Sequence, residues 1–309
     1  MPTTAFPFPG QGSQYAGMGR SLVLEFPSAR AIFDEADSTL GFSLSTLCFE
    51  GPDDLLKLTE NTQPAILTAS VAGYVVLKEK GILPDFVAGH SLGEYSALVA
   101  AGALKFADAV QIVRNRGRYM QEAVPAGVGA MAALLKLPEG KLDAVLAEAA
   151  QGEIVSAANL NSPDQVVIAG HAGAVNRAVE LAKAAGARRG VILPVSAPFH
   201  CALMEPAQRR LAQDLANTGF ADLSTPLVNN WQAREIHSGA DARTGLIEQV
   251  PNPVRWIEIV RLLAAKGVTR WIEVGPGAVL AGLLKNIEPG QAARKGGEAS
   301  DVAALVAEA

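Results

Sequence analysis

Three observations predict an α/β protein in which a small βαββαβ unit interrupts a larger α/β domain. Short apolar, β-rich runs alternate with long alanine-rich helical patterns, as packed layers of strand and helix require. Residues 130–195 keep a rhythm of their own, strand–helix–strand–strand–helix–strand, which is the split ferredoxin-like order. The chain has 309 residues and 49% of them are apolar. That allows about two domains at ~150 residues each, with a core that needs no covalent staples.

Taken in order, the first apolar run ends in the loop Pro9-Gly10-Gln11-Gly12-Ser13-Gln14. Residues 62–80 read as a helix stopped at Gly81, 85–90 as a buried strand and 92–103 as a helix. A further helix covers 106–123 and ends before Pro125 and Gly127. In the small unit, 130–135, 154–159, 166–169 and 191–195 read as strands, and 138–150 and 172–185 as helices. Asn161-Ser162-Pro163-Asp164 supplies the turn between the middle strands. The larger domain resumes near Ser196, with helices near 204–217 and 253–266 and a strand at 271–274. The expected division is therefore 1–127 with 196–288 for the larger domain and 128–195 for the smaller. The segment 289–309 is expected to be a loosely packed tail with one helical pattern at 300–309.

Composition narrows the function. There are 26 basic and 31 acidic side chains, a net charge of −5, with 18% of residues charged. Mean hydropathy is +0.20. A disordered chain needs the opposite balance, and no basic excess exists to neutralise nucleic-acid phosphates. Cys48 and Cys201 lie far apart with no metal-ligand spacing, and read as reduced thiols. The longest uncharged stretches, 1–19 and 61–77, carry prolines and polar residues and no basic start. They read as neither signal peptide nor membrane span. An untargeted cytoplasmic monomer with no nucleic-acid or membrane partner is expected.

Gly89-His90-Ser91-Leu92-Gly93 is a GxSxG between a predicted strand and a predicted helix. A serine on so tight a turn projects its hydroxyl outward, and the helix aims its first amides at the same point. The competing reading is a chance match. A nucleophilic serine needs a base, and there are four histidines: His90, His171, His200 and His237. His171 opens a helix and His237 sits among charged residues, so both read as surface. His90 adjoins the serine, and its side chain leaves the strand on the opposite side. By elimination His200, in Ser196-Ala197-Pro198-Phe199-His200, is the candidate base, against the alternative of a packed histidine. Cys201 beside it reads as packing. An unshifted imidazole would make activity fall below about pH 6–7.

Arg116 lies on the apolar stripe formed by Ala109, Ile112, Val113 and Met120, whereas Arg114 and Arg118 turn away from it. A buried guanidinium needs an anionic partner and suits a carboxylate in two-point contact. That partner is either a substrate or an internal acid, and the sequence leaves both open. The Gln11 loop permits close backbone approach but is neither a Walker loop nor a dinucleotide fingerprint. Glu273-Val274-Gly275-Pro276-Gly277 ends a strand in a turn, with a site role and a plain turn both open.

Taken together, GQGSQ (10–14), GHSLGEYSAL (89–98), RNRGRYMQ (114–121), SAPFH (196–200), NPVRW (252–256) and EVGPG (273–277) resemble the malonyl-CoA:acyl carrier protein transacylases. The motifs span residues 8–287 in that family's order. The resemblance implies an α/β-hydrolase-like large domain with an inserted ferredoxin-like domain. It implies Ser91 as the acylated nucleophile, His200 as base, and Arg116 as partner of the malonyl carboxylate. Backbone amides of Gln11 and Leu92 would form the oxyanion hole, and the Gln249 carbonyl would orient His200. Gln63, Asn159 and His90 match pocket positions. Leu92 and Phe199 match the malonyl-selective pattern of related polyketide synthase domains. The implied partners are malonyl-CoA and acyl carrier protein, with no metal or redox cofactor. One departure is Pro7, expected to shorten or bulge the first strand.

A GxSxG serves esterases equally, so a serine hydrolase or thioesterase is the second reading. Its acid would be Asp143 or Asp164, both inside the small unit and badly placed. An accessory subunit that only docks a carrier protein is the third, and the malonyl-loading subunit of malonate decarboxylase is a variant sharing these motifs. Because carrier proteins are acidic, docking needs a local basic patch. Arg188, Arg189 and Lys285 are the candidates.

Overall fold

The computed structural model describes residues 2–195 and 197–308. Ser196 of the SAPFH motif lies outside them. Ten strands form two sheets: β1 Thr3–Phe8, β2 Phe86–Gly89, β3 Gly129–Leu135, β4 Val155–Ser162, β5 Gln165–His171, β6 Arg189–Ile192, β7 Leu227–Val228, β8 Glu235–Ile236, β9 Val268–Glu273 and β10 Ala293–Lys295. The larger sheet runs β10-β9-β1-β2-β7-β8. It is parallel except for the antiparallel β7–β8 pair.

Alternation along β1 and β2 divides this sheet's two faces. Phe6, Phe8 and Val87 belong to one core with the long helices Thr59–Glu79 and Phe106–Glu122. Ala5 and Ala88 belong to the other, beneath helices Trp256–Ala265 and Val279–Ile287. Successive strand side chains point to opposite faces, so this division follows directly from the sequence order.

The smaller sheet is antiparallel throughout, in the order β4-β5-β3-β6. Its chain order and connecting helices, Leu142–Ala150 and Ala172–Ala184, give the ferredoxin-like arrangement. A parallel bridge pairs Asn159 of β4 with Val254. The Val254 amide donates to Ala158 O at 2.9 Å, and the Leu160 amide to Val254 O at 2.9 Å. The NPVRW segment thus stitches the small sheet to the large one.

Four local expectations change. β1 runs through Pro7, whose carbonyl accepts from the Val274 amide at 3.0 Å on the β9 side. The N–H that proline lacks would face that same side, where the β1–β9 register ends at Ala5↔Trp271; the β2 register continues to Phe8↔Gly89. β4 extends to Ser162, so only Pro163-Asp164 forms the hairpin turn. β6 ends at Ile192 instead of Val195, because Pro194 takes the chain out of the sheet. The segment after Pro289 is also not loose. β10 adds an edge strand beside β9, and the helix Ala299–Ala307 buries Ala299, Val302 and Leu305. Tyr15 and Ser21 donate to the Glu298 carboxylate that caps this helix, tying it to the first loop.

Leu305 is 2% exposed within the main core. Leu305→Ala is expected to cost about 2–4 kcal/mol, read from the midpoint of urea unfolding. A loosely packed tail would leave that midpoint unmoved.

Candidate active site

The sharp connection between β2 and the helix Gly93–Ala100 places Ser91 at φ 51°, a left-handed conformation that a non-glycine residue holds only when its surroundings impose it. Two close approaches impose it here. A Cβ on Gly89 would lie 1.9 Å from the Gly93 carbonyl carbon, and one on Gly10 would lie 2.4 Å from His90 O. Strand, helix and first loop therefore meet at distances open only to glycine. Asn230, just past β7, locks the turn: its Oδ1 accepts from the Ser91 amide at 2.7 Å and its Nδ2 donates to Gly89 O at 2.6 Å.

Ser91 Oγ lies 2.7 Å from His200 Nε2. His200 Nδ1 lies 2.9 Å from Gln249 O. A carbonyl can only accept, so Nδ1 carries the proton and Nε2 is left as the acceptor for the serine hydroxyl. Burial pushes the imidazole down to about 3, and the Arg116 charge and His90 push in the same direction. Cys201 is buried with its thiol on Pro198 O at 3.1 Å, and burial raises that thiol to about 11. It packs and does not react. His237 pairs with Glu235 at the surface, and His171 accepts from the Ile154 amide.

Arg116 is 1% exposed. Its guanidinium donates to Gln63 Oε1 at 2.7 Å, Gln249 Oε1 at 2.9 Å and Ser91 Oγ at 3.1 Å, all uncharged, and its buried Nε has no partner among the described residues. Of the two partners open for this arginine, an internal acid in direct contact is absent from the hydrogen bonds it makes. A cavity of about 120 Å³ opens over these groups. Gln11, Gln63, His90, Ser91, Leu92, Arg116, Asn159, Phe199 and His200 all line it, with Met120, Met131, Leu193 and Val195 as apolar walls. Every residue that the resemblance implies for catalysis or acyl-group binding lines this space, except Gln249, which is fully buried.

Among known families, residues 5–303 match the acyl transferase domain. This chain belongs to the acyl transferase family. It is 52% identical over 288 residues to the malonyl CoA-acyl carrier protein transacylase of Bacillus subtilis, covering 93% of this chain and 91% of that one. The Escherichia coli protein of the same name is 51% identical over 284 residues, 92% of each chain. The solved malonyl CoA-acyl carrier protein transacylase of Coxiella burnetii superposes with a TM-score of 0.97 at 43% identity, covering 99% and 98% of the two chains. A malonyl-transacylase solved in complex with a type II polyketide synthase acyl-carrier protein superposes equally well, at 0.97 and 45% identity, covering 99% and 100%.

Several residues of this acyl transferase that shape the site escaped the sequence reading. Asn230 follows a two-residue strand too short to be noticed. Glu94 is fully buried, accepting from the Asn230 amide at 3.0 Å and from Gln249 Nε2 at 2.8 Å. A lone charge in the apolar stretch after Ser91 was the signal for it, the same signal that singled out Arg116. The Gln249 side chain is a third: besides Arg116 and Glu94 it reaches Ser91 O at 3.1 Å. The EVGPG turn is structural. Glu273 accepts from the Leu280 and Ala281 amides, and Gly275 packs against Pro9 behind the Gln11 loop. Among the described residues, no group of three His, Cys, Asp or Glu is arranged to hold a metal.

The depressed imidazole leads to a different pH response from that of an unshifted one. A lowered value leaves His200 in its neutral, basic form throughout the range in which an unshifted imidazole would titrate. Labelling of Ser91 by a fluorophosphonate is expected to change less than about threefold between about pH 5.5 and 7.5. A half-loss centred near 6.5 would mean that the base is solvated.

Proposed function

We propose that this acyl transferase carries a malonyl group from malonyl-CoA to the phosphopantetheine thiol of an acyl carrier protein, supplying fatty acid synthesis. One observation carries the reading: a buried guanidinium with only uncharged partners beside an activated serine in a small cavity. An anionic acyl group supplies the missing counter-charge, and its second carboxylate distinguishes malonyl from acetyl.

The steps follow from the geometry. Ser91 Oγ attacks the thioester carbonyl as its proton passes to His200 Nε2. The oxyanion rests on the backbone amides of Leu92, at the start of its helix, and Gln11. Collapse breaks the C–S bond, and His200 returns the proton to the departing sulfur, leaving malonyl-Ser91. The carrier thiol then repeats the sequence in reverse. Ester and thioester exchange changes no oxidation state, so the chemistry calls for no redox cofactor. Gln63 and Gln249 hold Arg116 in place, and Asn159, His90 and Phe199 shape the pocket around the acyl group. The Gln249 carbonyl orients His200 where a hydrolase triad would place an acid.

We infer a monomeric enzyme acting in the cytoplasm; separately, no helix among the described residues is long and apolar enough to cross a membrane. For the acidic carrier, Arg188 and Arg189 line one groove with Lys136 and Asn286, which also holds Asp164, the ion-pair partner of Lys136; Lys285 precedes Asn286 in the chain. All three nominated basic side chains are exposed.

Intact-mass measurement after malonyl-CoA should show one malonyl group on the protein, lost on adding carrier protein and absent from Ser91→Ala. Rapid release of free malonate without acceptor would make the chain a hydrolase. Arg116→Ala should lose at least about 30-fold in kcat/KM for malonyl-CoA, the consequence of an unpaired buried carboxylate, while acetyl transfer rises. Equal loss for both substrates would make Arg116 structural. Charge reversal at Arg188, Arg189 and Lys285 should raise the KM for carrier protein and leave that for malonyl-CoA unchanged.

A further inference from the structure

Glu94 is fully buried three residues after the nucleophile and does not touch the cavity. Its Oε2 accepts from the Asn230 amide and from Gln249 Nε2, while its Oε1 is buried with no partner among the described residues. The other end of the Gln249 amide accepts from Arg116 at 2.9 Å. Arg116, one primary amide and Glu94 therefore form a line in which the amide dipole points from cation to anion. The arrangement relays the charge of a carboxylate to a guanidinium without letting the two touch, so Arg116 stays free to grip a substrate.

The surroundings of Glu94 isolate this pair. Arg116 is the charged group facing it, and Tyr95 is its neighbour on the same helix. β1 and β2, packed against that helix, carry no ionisable side chain. The helix Thr59–Glu79 contributes Tyr74, whose hydroxyl is bound to Ala100 O. Helix Gly239–Glu248 meets Glu94 at Gly245, and His200 reaches Gln249 only through its backbone.

We propose that Glu94 is a positioning residue whose carboxylate balances Arg116 through Gln249 in the empty enzyme and takes up a proton when a malonyl carboxylate occupies Arg116. The inference rests on the malonyl reading above. Arg116 alone cannot neutralise two buried anions in one desolvated site, and Glu94, fully buried with its Oε1 unpartnered among the described residues, is the one water does not reach. Burial already lifts the Glu94 carboxyl to about 7, against the opposing pull of its hydrogen bonds and of Arg116. Pairing Arg116 with substrate removes part of that pull and lifts it further. Acyl transfer itself is proton-neutral below the thiol range, because the serine proton leaves on the sulfur of coenzyme A. Any net uptake from solvent therefore reports an enzyme group.

The test is proton uptake by the full chain on loading with malonyl-CoA, followed with a pH indicator in weak buffer while intact mass quantifies malonyl-Ser91. At about pH 7.5 more than about half a proton per adduct is expected, falling towards zero at about pH 5.5, where Glu94 is already protonated. Glu94→Gln, which keeps both hydrogen bonds to Oε2, should load without uptake at either pH. Adduct formed with no uptake in the wild type, or with equal uptake in Glu94→Gln, overturns the proposal. Uptake larger at the lower pH also overturns it, since His200 would then be the acceptor. The two wild-type measurements decide the matter even if the variant does not fold. Absence of any adduct instead overturns the malonyl reading, and this inference with it.

Discussion

A positive charge taken out of water with no acid in direct contact is the constraint around which this site is built. Burial disfavours the charged form of Arg116, yet a guanidinium does not give up its proton in a protein. The fold holds it with neutral dipoles instead, two glutamine oxygens and the serine hydroxyl. Such partners engage its terminal N–H groups, leave its Nε unpartnered among the described residues and bring no negative charge into direct contact. On the proposed malonyl reading, an anionic acyl group would answer this unmet electrostatic demand.

The same charge explains the unusual support for the base. In a Ser-His-Asp arrangement a buried carboxylate at Nδ1 fixes the tautomer and stabilises the imidazolium. Here Gln249 O fixes the tautomer and contributes no charge. A carboxylate at that point would raise the imidazole and offer Arg116 an internal partner in competition with substrate. The carbonyl avoids both, and burial, with the Arg116 charge, holds the His200 imidazole down to about 3. On the proposed malonyl reading, stabilisation of the imidazolium would fall to the incoming malonyl carboxylate, which would offset the repulsion from Arg116. On this reading the base becomes a better proton acceptor only when the correct acyl group is bound.

How much of this was legible in the sequence depended on the scale of the signal. The two nested sheets, the GxSxG elbow and the burial of Arg116 were legible, because strand and helix periods and strand–turn–helix order are local properties. His200 followed from scarcity, four histidines leaving one base. The hidden parts are contacts between distant segments. Asn230 reaches the elbow across 139 residues and Gln249 reaches Glu94 across 155, and no local pattern marks either. β10 failed for another reason: three residues, two of them exposed, pair only because β9 presents an edge. Pro7 shows the reverse error. The strand runs on because the Pro7 carbonyl still accepts from Val274, and the missing N–H falls on the β9 side, where the register ends at Ala5↔Trp271 while that to β2 continues.

The nested architecture sets who controls the cavity. Leu92, Arg116 and His200 come from segments of the larger fold, while Met131, Asn159 and the residues just beyond β6 come from the smaller. Those two sets meet at a β-bridge between Asn159 and Val254, five residues from Gln249. Any shift of the small sheet is therefore felt at the same short segment that orients the base. One peptide segment, 249–254, spans the two contacts: Val254 makes the bridge to the small sheet, and Gln249 O holds the His200 imidazole.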